Sequence, residues 1–253
     1  MKKLLIVLIL LSLNVFSQDI QGIATYKKSI TKSNNEAIDS ITNPMVQNMM
    51  NKVLDEAIDE VKDIKYELVF TQKASSFSAL PSLSINDGMG YKLALTIEGG
   101  DGKIYTDFKE NKQYWEKEAY GGLFIIERSL DSLKWKIIEE EKMINGMTCL
   151  KAVGYRNQEI KGNTKKIVFE AWFNPELSIP SGPAIYGGLP GLIVELSVYL
   201  STSIVTYQLS KITYSEKKVL VEKPYKGINI TEDEFDEKGK NMRKQFIKSY
   251  GNN

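Results

Sequence analysis

The clearest periodic signal in the chain lies behind Asn43-Pro44. Val46, Met49, Met50, Val53, Leu54, Ala57, Ile58 and Val61 recur at spacings of three and four. That spacing gathers them on one face of a helix, with Asp55, Glu56, Asp59, Glu60 and Lys62 over much of the remainder. Asn is a favourable helix cap and Pro suits the first helical position, so the pattern predicts an amphipathic helix over 44–63. From Ile64 the period changes to two, and 65–71 reads as a strand. Residues 20–30 alternate less regularly and predict a first strand. Residues 79–90 read as a loop, 93–97 as a short strand and 99–102 as a glycine turn. Further short strands are predicted at 103–108, 114–118, 124–128, 135–140, 149–155 and 166–173, with Asn145-Gly146 as a hairpin turn. Glycine and proline concentrate in 175–191, and strands at 192–200 and 203–210 follow. Thr231 and Glu234 form a capping box for a C-terminal helix carrying Phe235, Met242, Phe246 and Ile247. Many short strands joined by turns indicate an antiparallel sheet in a single α+β domain.

Composition narrows the chemistry more than it proposes any. The chain has 253 residues, which is one or two domains at roughly 100–200 residues each. It has 33 Lys plus Arg against 32 Asp plus Glu, so no long-range basic field would gather nucleic acid. It has no histidine, which removes Ser-His-Asp and Cys-His catalysis and His-ligated metals. The single cysteine excludes an internal disulfide or a CxxC pair.

Residues 1–17 read as a secretory signal peptide. Lys2 and Lys3 precede the apolar run 4–13, and Val15-Phe16-Ser17 offers a cleavage site before Gln18. The run is about half of the ~20 apolar residues a membrane-spanning helix needs. No cysteine lies near the site, so a lipoprotein anchor is not expected, and no later segment could span a bilayer as a helix. The expected mature domain is 18–253, periplasmic, with its formal charge shifted from +1 to −1 by loss of the two lysines.

Gly187-Gly188-Leu189-Pro190-Gly191 is the most unusual local feature. A glycine-rich loop cradles phosphate when it opens a helix, but no Lys or Ser/Thr follows, and Leu192 to Leu196 looks like a strand. A tight corner at the sheet edge is the expected role. Gly188-Leu189-Pro190-Gly191-Leu192-Ile193 is also the hexapeptide that names the GLPGLI family of exported Bacteroidota proteins. Upstream, Trp135, Ile137, Glu141, Lys142, Ile144, Gly146, Cys149, Lys151 and Ala152 resemble another stretch of that family. Ala171-Trp172-Phe173, Pro180, Gly182 and Pro183, and Lys223-Pro224 resemble further parts of it. The resemblance implies an envelope protein, often encoded beside outer-membrane TonB-dependent transporters, with no established activity. The strand pattern also resembles lipoprotein-carrier half-barrels, in which a curved antiparallel sheet holds helices on its concave side.

Other residues have plain readings beside chemical ones. Cys149 among Met147, Leu150 and Val153 reads as buried and inert. Met45, Met49 and Met50 could ligate a soft metal, but on an amphipathic helix they read as core or ligand-groove lining. Glu139 and Glu141 would share a strand face, and Tyr114, Trp115 and Tyr120 with Gly121-Gly122 could stack a sugar or simply fill a core. The expected function is therefore non-enzymatic, without cofactor or metal. A lipid or other hydrophobic ligand would lie in a groove under helix 44–63, against Val46, Met49, Met50, Val53 and Leu54. One alternative is an interaction module for a TonB-dependent transporter, contacting it through the motif loop Gly188–Ile193 or a strand edge. A second is a hydrolase using carboxylates alone.

Overall fold

A computed structural model describes residues 20–33, 36–39, 42–81, 88–160 and 163–250. The signal peptide expected over 1–17 lies outside them. Among the described residues twelve strands form one sheet: β1 (Gly22–Lys32), β2 (Lys65–Phe70), β3 (Ala74–Ala79), β4 (Lys103–Asp107), β5 (Lys112–Ala119), β6 (Gly122–Ser129), β7 (Lys134–Ile144), β8 (Met147–Ile160), β9 (Asn163–Asn174), β10 (Leu192–Tyr199), β11 (Ser203–Tyr214) and β12 (Ile228–Thr231). Across the sheet they run β12-β6-β5-β4-β3-β2-β1-β11-β10-β9-β8-β7. Neighbours are antiparallel except β12, which runs parallel to β6. Four helices accompany them: α1 (Glu36–Asp39), α2 (Pro44–Glu60), α3 (Met89–Thr96) and α4 (Glu232–Tyr250). The expected α+β domain with an antiparallel sheet and helices near both ends is what forms.

The connectivity forces the sheet to curl. β6 and β7 stand ten places apart in the sheet, yet only residues 130–133 join them. Laid flat, those strands would be about 48 Å apart at roughly 4.8 Å per step. Four linking residues span at most about 17 Å. The two ends therefore approach one another around a concave interior, without closing into a barrel. Leu130 and Leu133 of the link are buried at the seam.

Inward-facing aromatics fill the centre. Tyr66 of β2 stacks on Phe77 of β3 with centroids 5.6 Å apart, and Tyr207 of β11 meets both rings edge-on at 5.5 and 6.0 Å. Such pairs add roughly 0.5–1.5 kcal/mol each beyond their buried area. Towards the β7 edge, Trp135 lies 4.8 Å from Phe169, which meets Tyr186 at 5.0 Å.

The helix behind Asn43 forms as its pattern predicts. Asn43 Oδ1 accepts from the N–H of Met45 (3.0 Å) and Val46 (3.4 Å), and a 3-10 turn, Val61–Asp63, completes its last turn. Leu54, Ala57 and Val61 enter the core. The C-terminal capping box also forms: Glu234 Oε2 accepts from the Thr231 N–H at 2.9 Å, and Thr231 Oγ1 from the Glu234 N–H at 3.3 Å. Phe235 of α4 packs 5.4 Å from Tyr120 and 5.5 Å from Phe124, and Glu232 pairs with Arg128 of β6 at 3.5 Å. The side chains of Phe246 and Ile247 lie outside the described residues. Asn145 and Gly146 both take left-handed φ, at 52° and 77°, as a type I′ hairpin requires.

Two expectations are corrected. The loop over 79–90 and the strand over 93–97 give way to α3, which starts at Met89; residues 82–87 of that loop lie outside the described residues. Gly90 packs against Glu56 so closely that a side chain there would collide with it, and this contact with α2 overrides the strand-like composition of Leu93-Ala94-Leu95-Thr96-Ile97. The second correction is the glycine- and proline-rich segment 175–191. It is no corner at the sheet edge but crosses the concave interior, with Ile179, Tyr186 and Leu189 buried.

Gly191 shows how tightly that segment is seated, because a side chain there would run into the carbonyl oxygen of Asn174. Gly191→Ala is expected to cost about 2 kcal/mol or more in urea denaturation. Gly146→Ala, in open space with only its φ of +77° to strain it, should cost less, about 1 kcal/mol. Equal costs would contradict the seating.

Candidate functional site

A buried loop must satisfy its own backbone polar groups, and segment 175–191 does so in two ways. It folds on itself: Gly188 N–H donates to Pro180 O (3.1 Å), Ile193 N–H to Ser181 O (3.0 Å) and Leu192 N–H to Leu177 O (3.0 Å). It is also anchored to distant strands. Ser75 Oγ of β3 lies 2.7 Å from Ser181 Oγ and Trp135 of β7 donates Nε1–H to Gly187 O at 2.9 Å, and just past the segment Tyr26 of β1 donates its hydroxyl to Ile193 O of β10 at 2.6 Å. Gly187 packs beside Leu130 of the seam. Each such bond contributes on the order of 1 kcal/mol. Of the motif residues, Leu189, Gly191, Leu192 and Ile193 are buried, while Gly188 and Pro190 reach solvent. Gly188 has a φ of +84°, which glycine alone adopts freely. The motif side chains are thus interior packing and offer a partner little surface.

Next to this segment lies a charged cluster that the sequence reading did not single out. Just beyond α3, Glu98 adopts a φ of +54°, a conformation costing a non-glycine residue roughly 1–3 kcal/mol. Its carboxylate accepts from Arg156 Nη2 at 2.8 and 2.9 Å and from the Tyr186 hydroxyl at 2.5 Å, and Tyr207 donates to its carbonyl at 3.3 Å. The Glu98 side chain is only 6% exposed. Burial first, then the neighbouring carboxylate, pushes the Tyr186 phenol well above its ordinary range. With three bonds on its carboxylate, Glu98 is a clamp between β8, the end of α3 and the motif segment.

Lys28 supports the same turn from below. It is 3% exposed, and its ammonium donates to the carbonyls of Ala94 (2.9 Å), Leu95 (3.5 Å) and Ile97 (2.5 Å) at the end of α3. The rings of Tyr66 and Tyr207 flank it at 5.6 and 5.2 Å. A cation at a helix C-terminus opposes the helix dipole favourably. Burial nonetheless pulls its pKa down to about 7, against the opposing pull of Glu98 and Asp101.

The residues expected to line a groove divide along α2. Leu54 is buried in the core and Val53 is half-buried. Val46, Met49 and Met50 face solvent, with Met49 53% exposed, and Met45 is 81% exposed. The first half of the helix thus keeps an apolar face that the other described residues leave exposed, and these methionines are not core lining. The remaining candidates separate. Cys149 is fully buried, and burial pushes its thiol up to about 11. A bulge between Ile138 and Glu141 breaks the alternation that would have aligned Glu139 with Glu141. Tyr114 and Trp115 fall on opposite faces of β5, Tyr114 reaching Glu110 and Trp115 the carbonyl of Asp101, while Tyr120 packs on Phe235. β7 is a sheet edge carrying that bulge and several charges, features that discourage strand addition. Among the described residues no helix is long and apolar enough to cross a membrane.

Residues 155–195 match the model of a family described as a protein of unknown function (Porph_ging). The matched stretch contains Arg156, Tyr186 and the hexapeptide Gly188–Ile193. No curated protein matches the chain. Among solved structures the chain is similar to PNGF-II, with 13% identity and a TM-score of 0.48 over 86% of this chain; it spans 32% of the PNGF-II chain. It is also similar to the Mycobacterium tuberculosis lipoprotein LppX, at 9% identity and a TM-score of 0.28, covering 80% of this chain and 88% of that one. A DUF1329 family protein from Desulfovibrio piger follows, at 9% identity and a TM-score of 0.18, covering 83% and 91%. At these similarities no substrate or partner transfers to this chain.

Two outcomes test the clamp. Glu98→Gln should cost about 2 kcal/mol in denaturant, because it leaves the half-buried Arg156 without its charge partner; a cost below about 0.5 kcal/mol, typical of a surface site, would contradict it. Lys28 sets a pH dependence. The unfolded chain holds this proton up to its ordinary 10.5, whereas the folded chain releases it near 7, so stability rises with pH between those values. Lys28→Met should flatten that rise, and parallel slopes would refute the assignment.

Proposed function

We propose that the chain is an exported, periplasmic envelope protein that binds a hydrophobic ligand without catalysing a reaction on it. The ligand would lie along the first half of α2, against Val46, Met49, Met50 and Val53, with buried Leu54 closing the inner end. The observation that supports this reading is the exposure of that face on a helix whose second half is packed into the core. Clustered exposed apolar residues mark binding surfaces more often than chance, and methionine adapts its shape to varied apolar partners.

Native mass spectrometry of the mature protein, purified without detergent from its host's periplasm, is expected to find a reproducible extra mass in the lipid range that is lost on denaturation. The double variant Met49→Asp/Val53→Asp should fold and lose that mass. A folded double variant that retains it would refute the α2 site, and a bare chain from the host would refute the ligand.

A further inference from the structure

Away from the exposed face of α2, an open cavity of about 540 Å³ lies between the end of α3, the start of β9 and the turn from β10 to β11. That volume falls within the range of small-molecule sites, ~300–1,000 Å³. Ile97, Ile167, Tyr199 and Leu200 give it apolar walls, and Lys165 and Lys166 stand on it as well.

Its floor is unusually stiff. Glu98 lines the cavity, and its left-handed backbone is fixed by Arg156, Tyr186 and Tyr207. Lys28 holds the carbonyl of the preceding Ile97. Strain persists where the surroundings over-determine it, and such residues cluster at ligand clamps. A wall held from four directions is preformed, which spares a ligand the cost of ordering it.

The charge balance says what would fit. The Glu98 carboxylate is already paired with Arg156 and capped by Tyr186, so it presents no free negative charge. Among the described residues neither Lys165 nor Lys166 pairs with a carboxylate; Lys166 Nζ rests 3.9 Å from the Tyr155 ring. Lys165 shares the strand face of Ile167, whereas Lys166, the next residue of β9, points to the other face over Tyr155, so one unpaired cation borders the apolar wall. An inorganic anion would leave the wall bare, and a neutral alkyl chain would leave the cation unmatched. We propose that this cavity binds an amphipathic anion, an alkyl or aryl body ending in a carboxylate or phosphate. Its head would sit at Lys165 and its body against Ile97 and Ile167. The site does not depend on the α2 face.

Calorimetric titration of the mature chain with dodecanoate, dodecyl phosphate, dodecanol and inorganic phosphate tests this. Both amphipathic anions should bind, with dodecanol and inorganic phosphate at least about tenfold weaker, a difference of roughly 1.4 kcal/mol. Lys165→Ala should weaken dodecanoate about tenfold, and the charge reversal Lys165→Glu should weaken it further. Met49→Asp/Val53→Asp should bind as the unaltered chain does. If the α2 variant loses dodecanoate while the lysine variant keeps it, the cavity is overturned and the ligand reading of α2 survives. Inorganic phosphate binding as tightly as dodecanoate overturns the amphipathic class, and no binding by either anion overturns the site.

Discussion

Residues 130–133 join strands that stand ten places apart in a twelve-strand sheet, and most of the architecture depends on that short link. A chain that short cannot cross a flat sheet, so the sheet must roll until its ends meet. Rolling creates a concave interior wider than the strand side chains fill alone. Segment 175–191 occupies it, tied to β3 through Ser75 and to β7 through Trp135, while Tyr26 of β1 holds Ile193 just past its end in β10. Because these anchors come from both halves of the sheet, the segment also holds the rolled shape in place. Its glycines and prolines serve close backbone approach, as the contact of Gly191 with Asn174 illustrates.

This arrangement separates architecture from binding. The hexapeptide is the most recognisable stretch of the chain, yet most of it faces the core. The two surfaces proposed for ligands are peripheral: the exposed first half of α2 and the cavity beyond α3. The Glu98 turn stands between core and cavity. Lys28, Arg156, Tyr186 and Tyr207 converge on it, so the same bonds that steady the motif segment also shape the cavity floor.

Much of the fold was legible in the sequence because it rests on local patterns. The α2 stripe, its Asn43 cap, the Asn145-Gly146 hairpin and the Thr231 capping box all need only neighbouring residues. α3 was not legible, since its helical state depends on packing Gly90 against Glu56, thirty-four residues away. β3 was missed because its serines carry little strand signal. The charged cluster left one trace. Ala24, Tyr26, Lys28 and Ile30 share one phase of a period-two strand and are all buried, so a lysine in the inward phase marks a buried charge in need of partners. Which partners it finds is a matter of long-range topology, and nothing local encodes that Glu98, Arg156 and Tyr186 meet.

The central claim is that the segment containing the hexapeptide is core rather than loop. Native-state hydrogen exchange tests it most directly, at the amides of Gly188, Leu192 and Ile193, whose acceptors lie within the segment. The account predicts that they exchange only with global unfolding, within about tenfold of the slowest amides of β1. Exchange as fast as that of an open surface turn would show that the segment detaches on its own, and that the rolled sheet stands without it.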